Sequence, residues 1–148
     1  MVDIVSQEKR SQMMAGIKSE NTKPEMLVRK YLHRKGLRFR VHVKNLAGKP
    51  DIVLKKHNCI IFINGCFWHL HGCKIFKMPS SRREFWETKL NKNVENQKKT
   101  IENLTSENWR VLVIWECALK NSKSVHETCD GAFDWILSGK TNLEIGSA

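Results

Sequence analysis

The 148-residue chain contains no apolar run approaching the about 20 residues of a membrane-spanning helix, and its start lacks the apolar core of a signal peptide. Internal repeats are absent, and so is any linker-like stretch that would divide the chain. Cysteines number five, an odd count with no paired spacing, which argues against a disulfide scaffold and for a reducing compartment. Acidic residues are in short supply, 15 against 26 lysines and arginines. These absences predict one cytoplasmic domain over 1–148, with no membrane partner and enough chain to bury a core.

What charge there is lies unevenly. Residues 1–100 carry 22 basic and 8 acidic side chains, whereas 101–148 carry 4 and 7, and the whole chain stands at +11. A basic field of that size attracts polyanions, nucleic acid first among them.

Against that background stands the stretch Cys59-Ile-Ile-Phe-Ile-Asn-Gly-Cys-Phe-Trp-His-Leu-His-Gly-Cys73. A β-branched apolar run turns at Gly65, and Cys66, His69, His71 and Cys73 follow within eight residues. Cys117 is a fifth soft donor far along the chain. Zinc takes four thiolate or imidazole ligands, so one of the five is surplus and becomes a candidate for chemistry. Buried thiols and packed histidines are the plainer reading, but packing alone is a poor account of two of each so close together.

Residues 1–20 read as a basic N-terminal arm or helix with Met13, Met14 and Ile17 as its short apolar stripe. Thr22-Lys-Pro-Glu25 has the form of a helix start, in which Glu25 is by position the acid of a capping box. Met26, Leu27, Val28, Tyr31 and Leu32 give that helix a buried face, and Gly36 ends it. Alternation from Leu37 to Val43 predicts a half-buried strand with a basic face. Asp51 to Leu54 and Cys59 to Ile63 predict two more, completing a hairpin or meander. A long helix over about 82–104 has Trp86, Leu90, Val94, Ile101 and Leu104 as its apolar stripe. A strand over 109–116 and a closing helix over about 123–137 follow, and 139–148 reads as a loose tail. The order implies a mixed sheet flanked by helices. Trp109, Trp115 and Trp135 are assigned to the core, Cys59 and Cys129 to buried thiols, and His33, His42, His57 and His126 to the surface.

Asp51 sits after Pro50 at the mouth of a strand, where a carboxylate can hold a divalent cation against a phosphodiester. Strand–turn–strand nucleases of the restriction-endonuclease type place an acid-x-Lys on the second strand. The corresponding place here is Ile63-Asn64-Gly65, with neither. From the residues alone, half of a metal-assisted phosphodiesterase is legible.

Gly65-Cys-Phe-Trp-His69, His71-x-Cys73, Glu84-Phe-Trp86, Lys92-Asn-Val-Glu95 and Trp109-Arg-Val-Leu with Trp115-Glu-Cys-Ala-Leu119 resemble the very-short-patch-repair (Vsr) mismatch endonucleases. Thr22-x-x-Glu25 and Pro50-Asp51 fit the same pattern, and the likeness runs over about 9–120. It implies an α/β restriction-endonuclease-like fold that binds duplex DNA at a T:G mismatch, probing it as a monomer. It also implies that one strand is nicked beside the thymine, which initiates repair of deaminated 5-methylcytosine. By the same resemblance a structural zinc is held by Cys66, His71, Cys73 and Cys117, which leaves His69 for catalysis. Magnesium is implied at Asp51 and the main-chain carbonyl of Ile63, with Glu25 hydrogen-bonding water beside it and His69 accepting a proton. Phe67, Trp68 and Trp86 resemble the family's wedge into the base stack, and Met14 of the arm joins them as a DNA contact. For Trp86, burial in the helix's core stripe is an equal alternative.

One departure stands out: the family pattern usually has histidine where this chain has Asn64. Asparagine cannot change protonation state, though it can orient water or phosphate by hydrogen bonds. That substitution supports the alternative, a zinc-stabilised mismatch- or DNA-binding module without catalysis. A zinc deaminase is set aside, because neither His-x-Glu nor Pro-Cys-x-x-Cys occurs. Contact with other repair proteins is a further expectation.

Overall fold

The computed structural model describes residues 22–73 and 77–146; the expected N-terminal arm, and Met14 with it, lies outside them. Helix α1 (Lys23–Arg34) leads into strands β1 (Arg40–Val41), β2 (Ile52–Leu54) and β3 (Cys59–Asn64). Helix α2 (Arg83–Ser106) then crosses to β4 (Arg110–Trp115), and α3 (Ser122–Ser138) crosses to β5 (Leu143–Ile145). The strands lie side by side in chain order. β1–β2 and β2–β3 are antiparallel, as a meander must be, while β3–β4 and β4–β5 are parallel, as strands joined through helices are. The sheet is mixed and flanked by helices, as expected. No described helix is long and apolar enough to cross a membrane.

Period-two alternation explains why the central strands read as unbroken apolar runs. Ile52, Leu54, Cys59, Ile61, Leu112 and Ile114 point to one face, where Val28 and Leu32 of α1 and Cys129, Trp135 and Ile136 of α3 cover them. Val53, Ile60, Phe62, Val111, Val113 and Trp115 point to the other, under Leu104 of α2. A sheet covered on both faces has no polar side to show in its sequence.

Local chemistry sets the ends. Thr22 caps α1, its hydroxyl accepting from the Glu25 N–H at 3.4 Å, with Pro24 in the first turn. Asn121 and Ser124 form a reciprocal capping box for α3, and Gly139 at φ +71° ends it. Carbonyls at and just past the C-terminus of α3 are gathered by Arg110 of β4, whose guanidinium donates to Trp135 O at 3.2 Å, Ile136 O at 2.9 Å and Lys140 O at 3.0 Å.

Three expectations are corrected. The strand foreseen over 37–43 pairs only at Arg40–Val41, because His42 turns to φ 50° and leaves the ladder. The tail foreseen as loose carries β5, paired to β4, and Trp115 Nε1 donates to the Glu144 carboxylate. Gly146 lies so close on Trp115 that a Cβ there would stand 2.7 Å from the ring, which is room for glycine alone. In α2, Leu90 and Leu104 are buried as expected, but Val94 is 39% exposed. Trp115 and Trp135 are buried on opposite faces of the sheet, Trp109 packs half-buried against the Trp115 side, and Cys59 and Cys129 are buried thiols that burial pushes up to about 11.

Candidate functional site

The carboxyl ends of β3 and β4 open into a groove of about 970 Å³, walled by α2 on one side and the loop before β2 on the other. That is where an open sheet with helical crossovers leaves a crevice. Gly48, at φ +74°, lets the loop press against Thr100 of α2. Asp51, Ile63, Asn64, Phe67, Trp68 and His69 all line this groove, so residues up to 18 positions apart converge.

Asp51 precedes β2 and faces the end of β3, where its Oδ2 accepts the Ile63 N–H at 2.7 Å. Glu25 approaches from the first turn of α1 and is 1% exposed. Its Oε2 accepts from Arg29 at 3.1 Å and lies 2.9 Å from His42 Nε2. Its carboxylate therefore turns inward, while the cap of α1 is supplied by the Thr22 side chain and the Glu25 backbone. One donor atom each from Glu25, His42 and Asp51 lies within 4.8 Å of the others, a group able to hold a cation. His42, expected at the surface, is one residue that sequence reasoning missed. The only hint was its place on a strand otherwise faced by arginine and lysine.

Asn64 is 3% exposed and trades hydrogen bonds with Gln97 of α2, at 2.7 and 2.8 Å. Two amides pair in this way because each has both a donor and an acceptor. The pair ties the end of β3 to α2 across the groove floor. Glu116, just after β4, closes the same end by accepting the Cys66 N–H at 3.0 Å.

His69 stands in the groove, its ring edge-on to Trp115 at 6.0 Å, and its buried Nδ1 has no partner among the described residues. Burial lowers its pKa from the ordinary value of about 6.5, so the ring is neutral at neutral pH.

Behind the groove, the chain turns tightly after β3, with the His71 N–H donating to Cys66 O at 2.9 Å. This turn and the 3₁₀ segment Glu116–Leu119 bring Cys66, His71, Cys73 and Cys117 together, one donor atom from each within 4.8 Å. His69 is not in the set. His71 Nδ1 lies 3.4 Å from Cys117 Sγ, and the ring stacks on Trp115 at 4.1 Å and 8°. A tetrahedral ion with about 2.3 Å sulfur bonds and about 2.0 Å nitrogen bonds sets its ligands about 3.5 Å apart, so the group is of the right size. Burial pushes the Cys66 thiol far above the usual range, only partly offset by a hydrogen bond with the Cys117 backbone. Thiols gathered this closely bind a cation as thiolates, which is how metal binding couples to their deprotonation. The cluster can hold a metal ion.

Phe67, Trp68 and Trp86 form one aromatic cluster, with Phe67 at 5.1 Å from Trp68 and 5.4 Å from Trp86. Trp86 therefore joins the groove-side cluster and not the core. Phe85, which sequence reasoning passed over, extends it at 5.3 Å from Trp86 and is 44% exposed. Lys89 holds its ammonium 5.6 Å over Trp68 and 5.8 Å over Trp86.

Fold and site together define a nuclease-type α/β protein. The catalytic domain of the homing endonuclease I-Bth0305I superposes with a TM-score of 0.55 at 18% identity, covering 82% of this chain and all of that one, so the fold is restriction-endonuclease-like. The family model described as DNA mismatch endonuclease Vsr matches residues 2–75. The DNA mismatch endonuclease Vsr of Escherichia coli K12 is 42% identical over 147 residues, covering 98% of this chain and 94% of its own. The type II nicking enzyme V.NmeAIP of Neisseria meningitidis is 45% identical over 127 residues, covering 86% and 91%, and V.XorIIP of Xanthomonas oryzae is 43% identical over 121, covering 82% and 89%. The chain belongs to the DNA mismatch endonuclease Vsr family: it is a DNA endonuclease, and DNA is its substrate.

Proposed function

We propose that this endonuclease recognises a T:G mismatch and nicks one strand beside the thymine with magnesium as the cation, starting the repair of deaminated 5-methylcytosine. The convergence of Asp51 and His69 on one groove, beside the aromatic cluster and with the buried Glu25 carboxylate within 4.8 Å of Asp51, carries the reading. Asp51 and the Ile63 carbonyl hold the cation, and Glu25 orients water beside them. A divalent ion there neutralises charge growing on the scissile phosphate and makes water more acidic. His69, neutral because it is buried, takes the attacking water's proton as its oxygen bonds to phosphorus and one P–O ester bond breaks. Asn64, held by Gln97, offers its amide to phosphate or water without exchanging a proton.

Zinc in the Cys66, His71, Cys73 and Cys117 cluster is structural, since four protein ligands leave no open position. It holds the turn that carries Phe67, Trp68 and His69. Phe67, Trp68 and Trp86 act as a wedge, which enters a mismatched step more easily because that step stacks and pairs less well. Met14 adds a contact from the arm. The protein acts as a monomer in the cytoplasm, and other repair proteins take up the nick.

The test is a nicking assay on T:G and matched duplexes with and without magnesium, alongside Asp51→Ala and His69→Ala. A magnesium-dependent nick confined to the mismatch and lost in both variants is expected. The loss in His69→Ala should not be restored by raising the pH. Mismatch affinity with no nick under any divalent ion would make the protein a binding module.

A further inference from the structure

We propose that His42 is a third protein ligand of the catalytic cation, making the site a mixed nitrogen–oxygen one that shifts preference from Mg²⁺ toward first-row transition ions. The proposal rests on the reading of Asp51 as a cation-holding residue. It assigns a ligand that neither the family pattern nor the composition singles out.

The geometry fits an ion as well as it fits a hydrogen bond. An octahedral ion with about 2.1 Å bonds sets adjacent ligand atoms about 3.0 Å apart and opposite ones about 4.2 Å apart. One donor atom each of His42 and Asp51 lies within 4.8 Å of the other, close enough to share an ion, and His42 Nε2 is 2.9 Å from Glu25 Oε2, the carboxylate read as holding water beside it. The ring also lines the groove that receives Asp51 and His69.

The backbone is bent to put it there. His42 takes φ 50°, a left-handed conformation that crowds the Cβ of an L-residue and that asparagine or glycine would adopt with less strain. Its N–H donates at 3.3 Å to the carbonyl of Asp51, so the strained residue is fastened to the one bearing the carboxylate. Strain kept at a groove beside a carboxylate pair points to a use for the ring. Arg29 already offsets part of the Glu25 charge, and a neutral imidazole completes the donor set without adding a third anion.

Chemistry then sets the preference. Magnesium is a hard ion that favours oxygen and retains water, whereas imidazole suits the transition ions. A nitrogen ligand therefore strengthens binding of those ions more than that of magnesium.

The test uses the zinc-loaded full chain and Mn²⁺ as a paramagnetic probe. Pulsed electron paramagnetic resonance of bound Mn²⁺ should show nitrogen modulation in the unmutated chain, changed when histidine is supplied with ¹⁵N. The modulation should persist in His69→Ala and vanish in His42→Gln and His42→Asn, whose thermal melts confirm folding. Mn²⁺ affinity should fall at least about tenfold in the His42 variants, the lower bound seen when a ligand's support is lost, with a smaller fall for competing Mg²⁺. No nitrogen modulation, modulation that survives His42→Gln, or an equal fall for both ions would overturn the proposal. Mn²⁺ binding that is undetectable, or unchanged in Asp51→Ala, would instead sink the underlying reading of the cation site, and this one with it.

Discussion

At the scale of single residues, Glu25 shows how one side chain can be read two ways from sequence and only one way in space. Its spacing from Thr22 matches a capping box, yet the buried carboxylate serves Arg29 and His42. Glu25→Ala removes the charged acceptor shared by the part-buried Arg29 and His42. Stability should fall by about 1–3 kcal/mol, the worth of hydrogen bonds to a charged group, as read by urea unfolding. The cap itself should survive, because Thr22 accepts from the backbone N–H and not from the side chain. That Asp51 and His69 share one groove was legible because the residues around them carry a dense family pattern. His42 was not, since its place depends on a left-handed turn that no alternation of polar and apolar residues announces.

At the scale of elements, strands β3 and β4 were legible because six consecutive apolar-rich residues in each are buried on both faces. β5 was not, because Leu143-Glu-Ile145 is short and largely exposed, and only its pairing with β4 makes it a strand. The same region shows how elements are locked together. Arg110 stacks its guanidinium 4.6 Å over the Trp135 ring while donating to the carbonyls at the end of α3 and to His57 O at 2.9 Å. Arg110→Met keeps the stem and removes every donor. A loss of about 2–3 kcal/mol is expected, lowering the melting temperature by about 4–12 °C, with no effect on nicking below the transition. Arg110→Lys should recover only part of this, because one ammonium cannot span four carbonyls in a plane. The Cys/His turn behaves differently. The four side chains that can hold a metal ion come from two distant segments, so a strong chelator should loosen the turn after β3 before the sheet itself melts. Tryptophan emission from Trp68 and Trp115 should change at chelator concentrations that leave the far-ultraviolet circular dichroism of the helices unaltered. Cys73→Ser should reproduce this without chelator.

At the scale of the whole molecule, the +11 charge and the aromatic cluster have separable tasks under the proposed function. Phosphate neutralisation releases counterions, so log K falls with log salt at a slope of about −0.9 for each phosphate contacted, whatever the base sequence. Wedge insertion adds affinity that depends on the step being weak and carries little salt dependence. T:G and matched duplexes should therefore give parallel salt plots separated by a constant gap. Lys89 is where the two proposed tasks would meet, a positive charge held over the rings of Trp68, Trp86 and Phe85. Trp86→Ala should narrow the gap between the two plots and leave both slopes alone. Lys89→Ala should make both slopes shallower by about one while keeping most of the gap, as measured by fluorescence anisotropy across salt. If Lys89→Ala closed the gap with slopes unchanged, the lysine would be a brace for the aromatic rings, and the charge that draws DNA to the groove would have to come from elsewhere on the basic surface.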